Sequence, residues 1–242
     1  MLNHIRISKC SVLLLVAVLS ACGGKVATSL PAQENYAPAI DPANFGAVID
    51  NPYFPLKPGT TFIYEGKTEK GNERNEVQVT SKTRMIMGVT CVEVEDKVMV
   101  DGVLEEGTLD WYAQDKQGNV WYFGEDSKEY DANGNVTSTH GSWEAGVNGA
   151  QPGIIMKANH VLNDTYRQEY LKGEAEDWAS IISLNETASV HFGSFKDALM
   201  TKEWSALKPA IIENKYYARG VGFILETTPD ASVRLELLEI HQ

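Results

Sequence analysis

Val92-Glu93-Val94-Glu95-Asp96-Lys97-Val98-Met99-Val100-Asp101-Gly102 decides the fold class of this chain. Val92 and Val94 alternate with Glu93 and Glu95, and Val98 and Val100 lead into Asp101-Gly102. Successive strand side chains point to opposite faces, so alternation with period two describes a strand with one dry and one wet face. Asp-Gly between two such runs predicts a hairpin, because both turn residues must take positive φ.

The same pattern continues on both sides. Downstream, Leu109, Trp111 and Ala113 alternate with Asp110 and Tyr112, and Asp115-Lys116-Gln117-Gly118-Asn119 turns the chain into Val120-Trp121-Tyr122-Phe123. Upstream, Phe62 and Tyr64 alternate with Thr61, Ile63 and Glu65, and Val77 and Val79 with Glu76, Gln78 and Thr80. Asn133-Gly134 marks another tight turn. Tyr166-Arg167-Gln168-Glu169-Tyr170, Ser189-Val190-His191-Phe192 and Val233-Arg234-Leu235-Glu236-Leu237 repeat the alternation. No long stretch has helical spacing; residues 195–204 and 174–184 read equally as helix or strand. The expected fold is all-β with minor helix: a single curved antiparallel sheet or open barrel of about ten strands.

Composition sets the class. The 242 residues are 43% hydrophobic and 22% charged, which is globular. Asp plus Glu number 33 against 21 Lys plus Arg, and there is no basic cluster. Such a surface is repelled by phosphate backbones, so a nucleic-acid partner is not expected.

The amino-terminal residues read as an address. Arg6 and Lys9 precede an apolar run from Val12 to Leu19, the layout of a secretory signal and too short to span a bilayer. Leu19-Ser20-Ala21-Cys22, followed by Gly23-Gly24, resembles the lipobox of bacterial lipoproteins. The resemblance implies cleavage before Cys22 and acylation of its thiol, with several acyl chains giving stable membrane attachment. It also implies the outer membrane of a Gram-negative host, since Gly23 stands where Asp would retain the protein on the inner one. The expected organisation is a signal peptide over 1–21, lipidated Cys22 with a tether to residue 50, and one β domain over 51–242. Residues 23–50 lack periodic spacing; as a coil they would reach roughly 30 Å. Without Arg6 and Lys9 the formal charge goes from −12 to −14. Cys91 is then the one unmodified cysteine, in the strand-like context Val89-Thr90-Cys91-Val92, and reads as a small buried hydrophobe.

Several segments of the β region are similar to a group of uncharacterised bacterial secreted proteins and lipoproteins. They are Asp110-Trp111-Tyr112-Ala113-Gln114-Asp115 with Gly118-Asn119-Val120-Trp121-Tyr122-Phe123-Gly124-Glu125, then Gly141-Ser142-Trp143-Glu144-Ala145-Gly146, Tyr166-Arg167-Gln168-Glu169-Tyr170, Gly173-Glu174-Ala175-Glu176-Asp177 and Lys215-Tyr216-Tyr217-Ala218-Arg219-Gly220-Val221-Gly222. The match spans most of residues 51–228 and implies fold and export, but no reaction. The pattern also loosely resembles curved-sheet periplasmic lipoprotein carriers, which hold an apolar ligand on the concave face.

The candidate ligand-binding residues are Trp111, Tyr112, Trp121, Tyr122, Trp143, Glu144 and Glu169. Inward rings on the two aromatic strands are core; outward rings would make a stacking platform for a sugar or peptide. Residues 141–153 hold four glycines and a proline and read as a long irregular loop, a frequent place for function. Asp110, Glu125, Glu144 and Glu169 are the acids a glycan hydrolase would use, given a pair roughly 5–10 Å apart. Glu169, Glu174, Glu176 and Asp177 read as a solvated face rather than a Ca²⁺ site, and Asp131-Ala132-Asn133-Gly134-Asn135 as a hairpin turn rather than half an EF-hand. His140, His160, His191 and His241 lack metal-ligand spacing. No nucleophile elbow or phosphate loop is present, and no cofactor is expected. The sequence therefore points to a lipid-anchored envelope protein that binds a ligand or partner, with an envelope glycan hydrolase and a purely structural lipoprotein as alternatives.

Overall fold

The structure, a computed structural model, describes residues 36–68 and 70–242. The signal region and Cys22 lie outside the described residues. Apart from one 3₁₀ turn at Pro42–Asn44, all regular structure described is strand.

Five long strands follow a two-residue one: β1 (Phe45–Gly46), β2 (Thr61–Thr68), β3 (Gly71–Ile86), β4 (Val89–Val100), β5 (Val103–Asp115) and β6 (Val120–Tyr130). Short pieces come next: β7 (Val136–Ser138), β8 (Trp143–Glu144), β9 (Gln151–Met156), β10 (Thr165–Arg167) and β11 (Glu169–Tyr170). The chain ends with β12 (Asp177–Val190), β13 (Gly193–Ser205), β14 (Lys208–Ala218), β15 (Gly222–Thr227) and β16 (Arg234–His241). Of the two stretches that read equally as helix or strand, 195–204 lies in β13 and 177–184 in β12, with 174–176 just before it.

All pairings are antiparallel, in the order β10-β12-β13-β14-β15-β16-β2-β3-β4-β5-β6-β9-β11. The two ends of that path, β10 and β11, are separated in sequence by Gln168 alone. Arg167 pairs with Trp178 on one side and Glu169 with Pro152 on the other, while the Gln168 N–H donates to the Asp177 carbonyl at 2.8 Å. The sheet thus bends round into one nearly closed barrel whose seam is this six-residue corner. Closure removes most of the unpaired backbone that an open sheet edge exposes.

Local chemistry explains the meander. Asp101 (φ 48°) and Gly102 (φ 81°) make the β4–β5 turn the sequence signals, both left-handed. The Asp131 carboxylate accepts the backbone N–H groups of Asn133 and Asn135, each at 2.9 Å, which makes that segment a turn. Two expectations need correcting. Residues 191–192 connect β12 to β13 rather than lying within a strand. Residues 141–153, read as irregular, contain β8 and the start of β9.

Residues 36–50, expected to be tether, lie on the barrel. Tyr36 Oη donates to the Pro152 carbonyl at 3.0 Å, β1 pairs with β5, and Ile49 is 4% exposed in the core. Phe45 sets its ring edge-on to Trp121 and Phe123, with centroids 5.9 and 5.5 Å away. Residues 143–145 run beside β6 by backbone pairing, and Phe45 covers Trp121 and Phe123, so Trp111, Tyr112 and Ala113 on β5 are all buried.

Candidate functional site

The seven sequence-derived residues do not form one surface. Tyr112 and Tyr122, cross-strand neighbours on β5 and β6, stack at 4.8 Å and 19° inside the barrel. Tyr122 Oη donates to Asp110 Oδ1 at 2.5 Å. Trp143 sets its edge against Tyr122 at 5.2 Å, and its Nε1 donates to Glu169 Oε2 at 2.8 Å. Trp121 donates Nε1 to Asp115 Oδ2 at 2.8 Å and packs on Phe45. Trp111 is 3% exposed, with the Arg84 guanidinium 4.3 Å from its ring centre. These rings are committed to packing, and they do not share one open face.

The register explains this division. A bulge shifts the β5–β6 pairing between Trp111 and Tyr112, so Trp111 opposes Gly124 while Tyr112 opposes Tyr122. Glu144 then falls beside Gly124 through β8, and Trp143 beside Glu125. Glu144 accepts from Arg84 Nη2 at 2.5 Å. A groove of about 300 Å³ results on the outer wall, lined among others by Arg84, Trp111, Ser142, Trp143, Glu144 and Asn148. It brings together three of the seven sequence-derived residues.

Of the four acids considered for hydrolysis, Asp110 and Glu125 face each other directly across β5 and β6. They are 6% and 2% exposed, and Glu169 is wholly buried. Burial, then the Asp110 charge, pushes the Tyr112 and Tyr122 phenols well above their ordinary value. Burial, then Glu144, pushes the Cys91 thiol up to about 12, so that fully buried side chain is an inert hydrophobe.

The lumen holds a second cluster. Lys215 on β14 is surrounded by Glu203 on β13, Glu213 on β14 and Glu226 on β15, its Nζ 3.2, 3.5 and 3.7 Å from their nearest oxygens. Glu203 also accepts from Thr201 Oγ1 at 2.7 Å and Tyr217 Oη at 3.1 Å. Sequence reasoning did not single out these four residues. Their signal was parity: Glu213 and Lys215 occupy the same alternate positions as Tyr217, which is buried core.

Between the two clusters lies a cavity of about 60 Å³ bounded by Asp96, Asp110, Tyr112, Lys215 and Tyr217 with apolar neighbours. That is room for a few waters. Small-molecule sites run from roughly 300 to 1,000 Å³. This cavity is well below that range.

The acidic block disperses: Glu169 and Asp177 are buried, Glu174 lies 3.2 Å from His140, and Glu176 accepts the Gly173 N–H at 2.8 Å. No group of three His, Cys, Asp or Glu suited to a metal ion occurs among the described residues.

No family model matches the chain, and no curated protein matches it. One solved structure, of a candidate lipoprotein from Parabacteroides distasonis, is similar to 81% of this chain and 100% of its own, with 14% identity and a TM-score of 0.42.

Proposed function

We propose that the chain is a lipid-anchored protein of the cell envelope whose barrel recognises a ligand or partner at its outer wall. The observation that carries this reading is the contrast between a lumen cavity of about 60 Å³ and an outer groove of about 300 Å³. A carrier of lipid needs the reverse arrangement. The groove offers a guanidinium, three carboxylates, a hydroxyl and an amide within a frame of buried indoles, which suits a polar ligand or a protein surface. The anchor reading is supported by the basic start, the short apolar run and Leu19-Ser20-Ala21-Cys22. Gly23 after the cysteine favours the outer membrane where the host has one.

Two measurements test it. Cys22→Ser should move the protein from the detergent-extracted membrane fraction into the soluble one; retention in the membrane would remove the anchor. In a thermal-shift series, fatty acids should leave Tm unchanged, because a ligand raises Tm only by binding the folded state. A saturable rise with a long-chain fatty acid would overturn the small-cavity reading. A polar ligand that does raise Tm should lose its effect in Glu144→Gln.

A further inference from the structure

Three carboxyls and one ammonium share a water-poor space on the lumen side of β13, β14 and β15. All four side chains of Lys215, Glu203, Glu213 and Glu226 are at most 4% exposed. Glu203 stands opposite Glu213 across β13–β14, and Lys215 opposite Glu226 across β14–β15. Each pairing on this wall thus contains a pair from the cluster.

Fully ionised, the group would hold three negative charges against one positive. A buried charge without a partner takes up or gives up a proton instead. The neighbours make the imbalance worse. Glu73 on β3 bears on Glu226, and Asp177 on β12 bears on Glu213. Tyr166 on β10 lies near Glu203. Across the cavity stand Asp96 on β4 and Asp110 on β5. None of these neighbours carries a positive charge. The three glutamates also differ: Glu203 has two hydroxyl donors, whereas the Glu226 oxygens take no hydrogen bond from a described residue.

We propose that this cluster is a proton-operated lock, holding the β13–β14–β15 wall closed while Glu213 and Glu226 keep a proton between them and loosening it when both ionise. Burial first, with Glu203 and Asp177 adding to it, raises Glu213 to about 7. Burial and then Glu213 push Glu226 well above the ordinary carboxylate value. Burial opposes the Lys215 charge, but Glu203, Glu226 and Glu213 outweigh it and raise the lysine, so its charge persists throughout. The folded state therefore keeps protons that the unfolded chain releases above about 4.5. That contribution to stability is complete below about 4.5 and is lost as pH rises to about 7 and, through Glu226, beyond.

The test is thermal unfolding of the full chain in detergent between pH 5.5 and 8.5. Wild-type Tm should fall by roughly 5–10 °C with rising pH. Glu213→Gln and Glu226→Gln should each flatten that slope, and the double variant should abolish it. Asp131 and Asp230 are lowered by their turn hydrogen bonds and titrate below the window. His160, lowered by burial, works in the opposite direction but is common to all variants, so the difference between slopes isolates the cluster. Amide exchange in β13–β15, corrected for its intrinsic pH dependence, should accelerate at pH 8.5 in wild type alone. A flat or rising wild-type Tm, or single and double variants with the wild-type slope, would overturn the lock.

Discussion

Lys215→Met should destabilise the barrel by about 3–5 kcal/mol at pH 8, because removing one partner of a buried ion cluster strands the others. Methionine keeps the length and the apolar stem, so the loss isolates the ammonium. For a domain of this size that is a Tm lower by roughly 6–20 °C. The loss should shrink at pH 5.5, where Glu213 takes up a proton and fewer charges are stranded. Glu226→Gln, which removes the carboxylate paired with Lys215 across β14–β15, should be partly restorative in the Lys215→Met background. Such a rescue is a coupling energy, which neighbouring residues show and distant ones do not. A Lys215→Met protein that melts with wild type at both pH values would mean that the ammonium is not the counter-charge of the cluster.

This cluster also marks where the sequence stopped being legible. Alternation identified the strands of the β2–β6 meander, and Asp101-Gly102 located a turn whose φ values match the expected type. Those signals are local, involving residues two apart or a single dipeptide. The face each strand presents to the core is not local. Leu109, Trp111 and Ala113 look like the dry side of β5, yet Asp110 and Tyr112 point into the lumen. Trp111 is buried on the other side, beneath Arg84. Arg84 with Glu144 over Trp111, and Phe45 over Trp121 and Phe123, supply that second cover from elsewhere in the chain, and no periodicity on β5 announces them.

Bulges account for much of the remaining ambiguity. The β12–β13 pairing shifts register between Ile181 and Ser183, between Ser183 and Glu186, and between Glu186 and Ala188. Each shift resets which residues face inward, so the strand reads as neither clean alternation nor helix. The candidate site was legible as residue types rather than as a place. Trp111, Trp143 and Glu144 do share the outer groove. Trp143 bridges the two sets, lining that groove while it packs on Tyr122 and donates to Glu169, a placement that only the β5–β6 bulge and the seam explain.

The seam itself supports the second large effect: Gly153→Ala should cost about 2–4 kcal/mol, lowering Tm by roughly 5–15 °C. A Cβ on Gly153 would lie 2.3 Å from both the carbonyl carbon and oxygen of Gln168, and 2.7 Å from the Arg167 oxygen. All three are backbone atoms, so no side chain can swing aside. The corner between β10 and β11 must move instead, and that corner is what joins the two ends of the sheet. Arg167 stacks there between Tyr170 and Trp178, at 4.4 and 4.2 Å, and Tyr36 is tied to Pro152 beside it. A displaced corner should therefore loosen three contacts together, and amide exchange should quicken over 165–170 before it does in β2–β5. Gly46→Ala is the control, since a Cβ there meets nothing within 4 Å and should change stability by less than about 0.5 kcal/mol. If Gly153→Ala instead tracked Gly46→Ala, barrel closure would not depend on that approach of two backbones. The stability of the lumen cluster would then have to be explained without a tight seam to keep water from it.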